Sequence, residues 1–391
     1  MSKIHKLSVE DFEEIFELSQ FAFQYNLSEE QLSKKKEEAK RHIIWGWKDR
    51  EGLAAKLHLL PLNCYINGKN FKMGGIGGVA TWPEYRRQGM VKQLLFHALN
   101  HMKANGQTIS FLHPFSFPFY RKYGWEYAFN EKTYTILTEK FKKNWEINGF
   151  VRRIKQDIPL LNQLYNEYAE NFNGMLNRDE KWWKQRVLKD EYNIAVAYNN
   201  QKTPVGYVMY VVKDEIMNIG EMVYSHVAGL RQLLHFIGNH DSMAKKVKMV
   251  VPENDLLPLF IDEPRFDQTI NPYFMARIVD VQAFLKSYPF DRTSKNVLLS
   301  LGIMVDDEFF PENTGTYILN LSKDTTSVTF SHSQIQQPAI YCSIQILSSM
   351  LLGFKRPMEY YLAGLLDGDE KAIEQLEMII PKRQTYLADF F

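Results

Sequence analysis

The fold of this chain is decided by one stretch, which reads Gly74-Gly-Ile-Gly-Gly-Val-Ala-Thr-Trp-Pro-Glu-Tyr-Arg-Arg-Gln-Gly-Met-Val-Lys-Gln-Leu-Leu-Phe-His-Ala-Leu-Asn-His101. Small residues that suit a closely approached strand come first, a tight basic turn follows, and an amphipathic pattern then predicts a helix from Met90. The turn places Arg86, Arg87 and unpaired backbone N–H groups at the positive end of the helix dipole. Such a corner binds phosphate oxygens, so the sequence predicts a pyrophosphate site.

The strand before the turn offers a second binding element, because the backbone at its end can hydrogen-bond an extended ligand. A molecule that joins a diphosphate to an extended arm with amide groups is coenzyme A, which we expect as the ligand. The predicted contacts are Val79, Ala80, Thr81, Arg86, Arg87, Gln88, Gly89, Met90 and Val91. The alternative is a solvated helix start. Basic residues at a helix N-terminus are unfavourable unless an anion offsets them, which favours the ligand site.

Composition limits the class of protein. The 391 residues suffice for several domains, and a formal net charge of +1 gives no case for binding nucleic acid or a membrane surface. The two cysteines, Cys64 and Cys342, lie in no metal-ligand spacing, and His235 and His240 do not share one helix face, so we expect no metal site. The first residues lack the apolar run of a signal peptide, and we expect a cytoplasmic protein.

The order of predicted elements divides the chain into three units, at residues 1–147, 148–286 and 287–391. The first unit alternates helices and strands. Asn67-Gly68 lies between two apolar runs and predicts a hairpin, because both central turn positions need positive φ. Its last predicted strand lies near Thr133–Leu137. The third unit groups short strands before helices, so we predict a mixed α/β chain that ends in an α+β domain.

The second unit contains an echo of the first. Residues 231–240 match residues 92–101 without a gap, and five of the ten positions are identical. The turn before the second copy reads Ser225-His226-Val227 and lacks the arginine pair. We therefore expect a degenerate repeat that binds no pyrophosphate.

Two motifs resemble those of GNAT-type N-acetyltransferases. Val79-Ala-Thr-x-Pro-x-x-Arg-Arg-x-Gly-Met90 resembles the acetyl-CoA motif of that family, and Phe119-Tyr-Arg-Lys-Tyr-Gly-Trp125 resembles its second signature. Val91 stands where the family has a small residue, which is similar to the enhanced-intracellular-survival (Eis) branch. The resemblance implies tandem GNAT-like domains with mixed central sheets, followed by a sterol-carrier-protein-like α+β domain. It also implies a homo-oligomer, either a hexamer or a trimer.

The resemblance further implies two catalytic groups. Tyr120 matches the general acid that protonates the coenzyme A sulfur, with Tyr123 as the fallback and a packing tyrosine as the alternative. The C-terminal carboxylate, here that of Phe391, is implied as the proton acceptor, and the alternative is a frayed terminus. An α-carboxylate of pKa about 3.5 is a poor base for an ammonium of pKa about 10, unless burial beside Phe390 or a water relay reduces the mismatch. Asp389 is a candidate second anion for the substrate.

These features predict an acetyl-CoA-dependent N-acetyltransferase. Direct, single-displacement transfer is expected because no cysteine lies near the motif to form a covalent intermediate. The resemblance implies cationic acceptors, namely aminoglycosides, polyamines or lysine side chains. Phe21, Phe23 and Trp45 are candidates for the acceptor pocket, whereas Trp182 and Trp183 are predicted to be core. Two alternatives stay open: a non-catalytic acyl-CoA sensor, and a lipid carrier that acts through the third unit.

Overall fold

A computed structural model describes residues 4–141, 145, 147–292, 299–332 and 339–391. Within them lie three sheets, of seven, seven and five strands. The first part of the chain forms β1 (Ile4–Leu7), α1 (Phe12–Phe23), α2 (Glu29–Ala39), β2 (Ile43–Asp49), β3 (Gly52–Ile66), β4 (Lys69–Thr81), α3 (Met90–Ala104), β5 (Ile109–Leu112), α4 (Phe117–Arg121), β6 (Glu126–Tyr127) and β7 (Asn130–Leu137).

The middle of the chain forms β8 (Gly149–Ile154), α5 (Ile158–Ala169), α6 (Glu180–Trp182), β9 (Asn193–Asn199), β10 (Pro204–Lys213), β11 (Ile216–Tyr224), α7 (Val227–Gly238), β12 (Lys246–Val251), β13 (Asp267–Pro272), β14 (Met275–Ile278) and α8 (Val281–Ser287). The last part forms β15 (Leu299–Asp306), β16 (Gly315–Leu321), β17 (Thr326–Ser331), β18 (Ile340–Ser343), α9 (Ile344–Leu351), α10 (Pro357–Leu362), β19 (Asp367–Gly368) and α11 (Glu370–Ile379). None of the described helices combines the length and apolar character needed to span a bilayer.

Local signals predicted the hairpin and the start of α3 correctly. Asn67 and Gly68 have φ of 49° and 77°, and β3 and β4 pair antiparallel on either side of them. The helix α3 begins at Met90, directly after Gly89 at φ 78°. Asp157 caps α5 by accepting from the backbone N–H of Leu160. These features depend on neighbours in sequence, which is why a pattern predicts them.

The predicted strand near Thr133–Leu137 is present as β7, but it lies in the second sheet, because the first two sheets exchange strands. The first sheet runs β1-β2-β3-β4-β5-β14-β6, and the second runs β13-β7-β12-β11-β10-β9-β8. The strand β7 therefore pairs with β12 and β13, while β14 fills the gap between β5 and β6. The partners of both strands are distant in sequence, so pairing is decided by where the apolar faces pack. The boundary at 147/148 stays a prediction, since sheet membership does not follow it.

The repeated segment occupies equivalent places in the two sheets. In the first, the hairpin β3–β4 is followed by α3 and by β5 parallel to β4. In the second, the hairpin β10–β11 is followed by α7 and by β12 parallel to β11. The two helices differ at their starts, because the His226 ring accepts from the Gly229 N–H at 3.2 Å, whereas no side chain caps α3. Of these two helices, only α3 therefore begins without a side-chain cap, so its first backbone N–H groups are available to an anion.

A buried ion pair joins the first sheet to the third. The guanidinium of Arg277 in β14 donates to the Asp307 carboxylate at 2.5 Å, and both side chains are fully buried. Arg277 also donates to the Tyr123 carbonyl. After α11 the chain leaves the third sheet without further regular structure and returns to the first, with Leu387 and Phe391 buried.

Candidate active site

The site begins where two parallel strands part. The strand β4 pairs with β5 only over Met73–Ile76, although it pairs with β3 as far as Thr81. Along β4 beyond Ile76, the edge towards β5 faces no described strand. Gly78 and Val79 lie together opposite one residue of β3, and Gly78 has φ 56°, so a β-bulge turns the backbone here. The result is an open wedge beside a strand edge that no described strand covers, which suits an extended ligand.

The predicted coenzyme A contacts gather along this wedge and at the start of α3. Arg86, Arg87, Gln88 and Gly89 are exposed. Other members of the set present their backbone, because the side chains of Ala80 and Met90 are buried in the core and those of Val79, Thr81 and Val91 are half-buried. The turn is shaped by two left-handed residues, Arg87 at φ 63° and Gly89 at φ 78°. Its geometry fits an anion at the first turn of α3.

Tyr120 lies in the apolar cluster that flanks the wedge. Its side chain is 3% exposed and shares that cluster with Ile76 and Leu112, the residues at which β4 and β5 part. Burial raises the pKa of Tyr120 above its ordinary value, so the phenol stays protonated and can act as an acid. Tyr123, the fallback, packs its ring 4.8 Å from Phe309 and so faces the third sheet.

The C-terminal residue lies on the opposite face of β4. Phe391 is 9% exposed, and its ring packs 5.1 Å from that of Phe274. A Cβ atom at Gly75 would lie 2.7 Å from this ring, and one at Gly77 would lie 3.6 Å from the terminal carboxyl carbon. Alternate residues of a strand point to opposite faces, so Gly75 and Gly77 face the terminus while Ile76 faces Tyr120. The small residues of β4 therefore leave room for the chain's own end.

A buried polar network anchors this terminus, which corrects the reading of Asp389 as an anion for substrate. Both Asp389 carboxylate oxygens accept from Nε of Arg178, at 3.0 and 3.1 Å, and one of them accepts from Trp182 Nε1 at 2.8 Å. The remaining nitrogens of Arg178 donate to Glu221 at 3.0 and 2.6 Å. Asp389 is therefore fully engaged, and its role is to hold the last residues in place.

A cavity of about 200 Å³ opens beside the terminal residue. It is enclosed by α1, α2, β3 and β4, and residues Arg186 and Phe391 close it from the other parts of the chain. Of the three predicted pocket residues, Phe23 lines this cavity. Phe21 instead lies half-exposed with its ring 4.7 Å from that of Trp82, and Trp45 is buried on the other face, 4.8 Å from the His97 ring.

Three basic side chains that lie beside the cavity were not identified from the sequence. Lys56 is fully buried, and its Nζ lies 2.8 Å from the Gly78 carbonyl oxygen and 3.2 Å from His58 Nε2. His58 Nδ1 lies 3.1 Å from Nδ1 of His42. Burial lowers the pKa of Lys56 to about 7. Burial, and secondly the positive charge of Arg186, lowers the pKa of His42 to about 3. Burial also lowers the pKa of His58 well below its ordinary value. The available signal was a lysine and a histidine two residues apart in an otherwise apolar run.

Comparisons with known families match all three parts of the chain. Residues 3–128 and 174–278 each match an acetyltransferase (GNAT) domain, and residues 281–388 match a sterol carrier protein domain. These matches confirm the predicted fold class, a mixed α/β chain of tandem GNAT domains with a sterol-carrier-like domain at its end. The second matched segment includes β14, although this strand pairs within the first sheet.

Individual relatives are distant in sequence and close in fold. Two uncharacterized N-acetyltransferases of Streptomyces griseus are each 22% identical over 265 residues, a match that covers 60% of this chain and 63%, less than two thirds, of the relatives. A probable N-acyltransferase from Enterococcus faecalis superposes with a TM-score of 0.92 at 26% identity, over 99% of both chains. Eis1 of Mycobacterium abscessus superposes with a TM-score of 0.83 at 18% identity, over 100% of both chains, which is a likeness of fold.

Proposed function

The chain carries two GNAT acetyltransferase domains followed by a sterol carrier protein domain, and on that premise we propose that it is an acetyl-CoA-dependent N-acetyltransferase. One observation carries the proposal. The wedge between β4 and β5 has the buried phenol of Tyr120 on one face of β4 and the terminal carboxyl of Phe391 on the other. An acid for the leaving thiolate and an anion for the attacking amine thus flank one strand.

The first domain holds the acyl donor in this proposal. Arg86, Arg87 and the first N–H groups of α3 bind its diphosphate, and the backbone of Val79–Thr81 pairs with its extended arm. Acetyl-CoA supplies an acetyl group activated as a thioester. In this proposal, a backbone N–H at the bulge of β4 stabilises the charge that develops on the thioester oxygen. Tyr120 gives its proton to the departing sulfur.

The amine approaches from the cavity that Phe391 lines. The terminal carboxylate holds the ammonium and accepts its proton, so that the neutral amine attacks directly without a covalent enzyme intermediate. The buried thiol of Cys64 has its pKa raised by burial and is unsuited to be a nucleophile. Aminoglycosides, polyamines and lysine side chains are the acceptors suggested by resemblance, and a primary amine is the feature they share. We also expect a cytoplasmic location and a homo-oligomer, and sedimentation of the purified chain tests the oligomeric state.

The test is the release of free thiol from acetyl-CoA across a panel of these amines. We expect turnover in the wild-type chain and its collapse in Tyr120→Phe and in a chain that lacks Phe391. Turnover that survives the loss of Phe391 would remove the terminal carboxylate from the mechanism. Binding of acetyl-CoA without thiol release for any amine would favour an acyl-CoA sensor. Unchanged binding in the double variant Arg86→Ala, Arg87→Ala would contradict the diphosphate site.

A further inference from the structure

A chain of three nitrogen-bearing side chains runs from the acceptor cavity into the first sheet. His42 lines the cavity, its Nδ1 lies 3.1 Å from that of His58, and His58 Nε2 lies 3.2 Å from Lys56 Nζ. Lys56 ends the chain, donating to the Gly78 carbonyl at the bulge of β4. In the part of the chain that the structure describes, Lys56 has no carboxylate partner, and His42 Nε2 makes no hydrogen bond.

With one proton on each ring, the two contacts that involve His58 can run in either of two directions. In the first, His42 Nδ1–H donates to His58, His58 Nε2–H donates to a neutral Lys56 amine, and His42 Nε2 has a lone pair open to the cavity. In the second, both contacts of His58 are reversed: Lys56, as the ammonium, donates to His58, His58 Nδ1–H donates to His42, and His42 Nε2 carries a proton, while Lys56 still donates to the Gly78 carbonyl. Each ring holds one proton in both arrangements.

We propose that Lys56, His58 and His42 form a proton relay that takes the proton released by the acceptor ammonium and stores it on Lys56. The proton leaves the amine nitrogen, passes by way of the Phe391 carboxylate and bonds to His42 Nε2. The His42 Nδ1 proton passes to His58 Nδ1, and the His58 Nε2 proton passes to Lys56 Nζ, which becomes an ammonium. His42 is the catalytic residue, while His58 and Lys56 act through it. The inference rests on the proposed function, and it leaves the Phe391 carboxylate to hold the amine and pass on its proton.

The surroundings favour storage of charge on Lys56 over storage on the rings. The ionisable groups that face the relay are Lys35, Glu38, Arg41, Tyr25, Arg186 and the terminal carboxylate. Glu38 is held by Lys35 at 3.2 Å and by Arg186, so its charge is already compensated. The remaining cations oppose an imidazolium at His42, in line with its low pKa of about 3. Lys56 has a pKa of about 7, which suits a base that works near neutral pH.

Four substitutions test the relay in thiol release from acetyl-CoA. Lys56→Met and His42→Gln should each lower kcat/KM for the amine about 100-fold, the lower end of the range for general acid–base catalysis. In Lys56→Arg, whose side chain stays protonated, kcat/KM should fall as far as in Lys56→Met. The matched control is His97→Gln, because His97 packs on Trp45 at the other face of the sheet. The dissociation constant of acetyl-CoA should not change in any of them. A Lys56→Met enzyme with wild-type kcat/KM and pH profile would overturn the proposal.

A measurement on the free protein separates this proposal from the proposed function. With ¹⁵N-labelled histidine, His42 and His58 should exchange tautomers with one shared midpoint near pH 7, and neither ring should become doubly protonated. The midpoint should disappear in Lys56→Met and persist in His97→Gln. Rings that keep one tautomer across this range would overturn the relay. A shared midpoint in a chain that binds acetyl-CoA but acetylates no amine would support the relay and contradict the proposed function.

Discussion

Replacement of Asp389 by alanine should release the C-terminal residues while the rest of the fold stays intact. The substitution removes the carboxylate that Arg178 and Trp182 Nε1 contact, and it leaves a buried indole donor without a partner. Breaking a buried pair by removing one member costs about 3–5 kcal/mol. We expect the lower end, about 3 kcal/mol, because Arg178 keeps both contacts to Glu221. That free energy corresponds to a rise of roughly 100-fold in the population with a detached terminus.

Carboxypeptidase digestion followed by mass spectrometry measures that population directly. Removal of Phe391 requires the terminus to leave its site beside Gly77, so the cleavage rate tracks the detached fraction when opening is fast. The rate should rise roughly 100-fold in Asp389→Ala and less in Asp389→Asn, which keeps an acceptor oxygen. Thiol release should fall in the same order.

A surface ion pair supplies the matched control. Lys245 and Glu215 approach to 2.6 Å, but their side chains are 73% and 62% exposed, so Lys245→Ala should change neither cleavage nor activity. Cleavage within twofold of wild type in Asp389→Ala would refute the reasoning, because it would mean that the network does not hold the terminus.

Three further outcomes follow from the site. Tyr120→Phe should lower kcat by about 100-fold or more without weakening acetyl-CoA binding, and wild-type kcat should show no fall from Tyr120 ionisation up to about pH 10, since burial raises the pKa of Tyr120. Arg86→Ala with Arg87→Ala should raise the calorimetric Kd for acetyl-CoA at least about tenfold, and more at low salt than at high salt, because exposed charges are screened. Lys56→Met should stabilise the fold in urea titrations. Since the folded pKa of Lys56 is about 7 and its ordinary pKa is 10.5, the unfolded chain binds the extra proton between these values, and wild-type stability rises with pH across that window. The gain should be at most about 5 kcal/mol at pH 7 and below and vanish towards pH 10.5, and an equal gain at both ends would contradict the explanation.

The strand, turn and helix of residues 74–101 were readable because each depends on residues close together in the chain. A hairpin at Asn67-Gly68 needs two positive φ angles in succession, and a helix after Gly89 needs a run of apolar residues at helical spacing. The same local logic revealed the repeat, whose helices α3 and α7 follow equivalent hairpins. The absence of the arginine pair from the second copy could be seen in the sequence alone, and His226 caps the start of α7 in its place.

Contacts between residues that are far apart in the chain could not be predicted from local sequence patterns. The exchange of β7 and β14, the clasp of Arg178 on Asp389 and the approach of His42 to His58 join residues whose separation in sequence carries no local pattern. Each depends on which apolar faces pack together, and that packing energy is shared over the whole core. Lys56 looked like one interruption in an apolar strand, and only burial by α1, α2 and the returning terminus turned it into a lysine of lowered pKa. Backbone conformation was therefore decided locally, and the chemistry of the site was decided by the tertiary contacts that remove its ionisable groups from water.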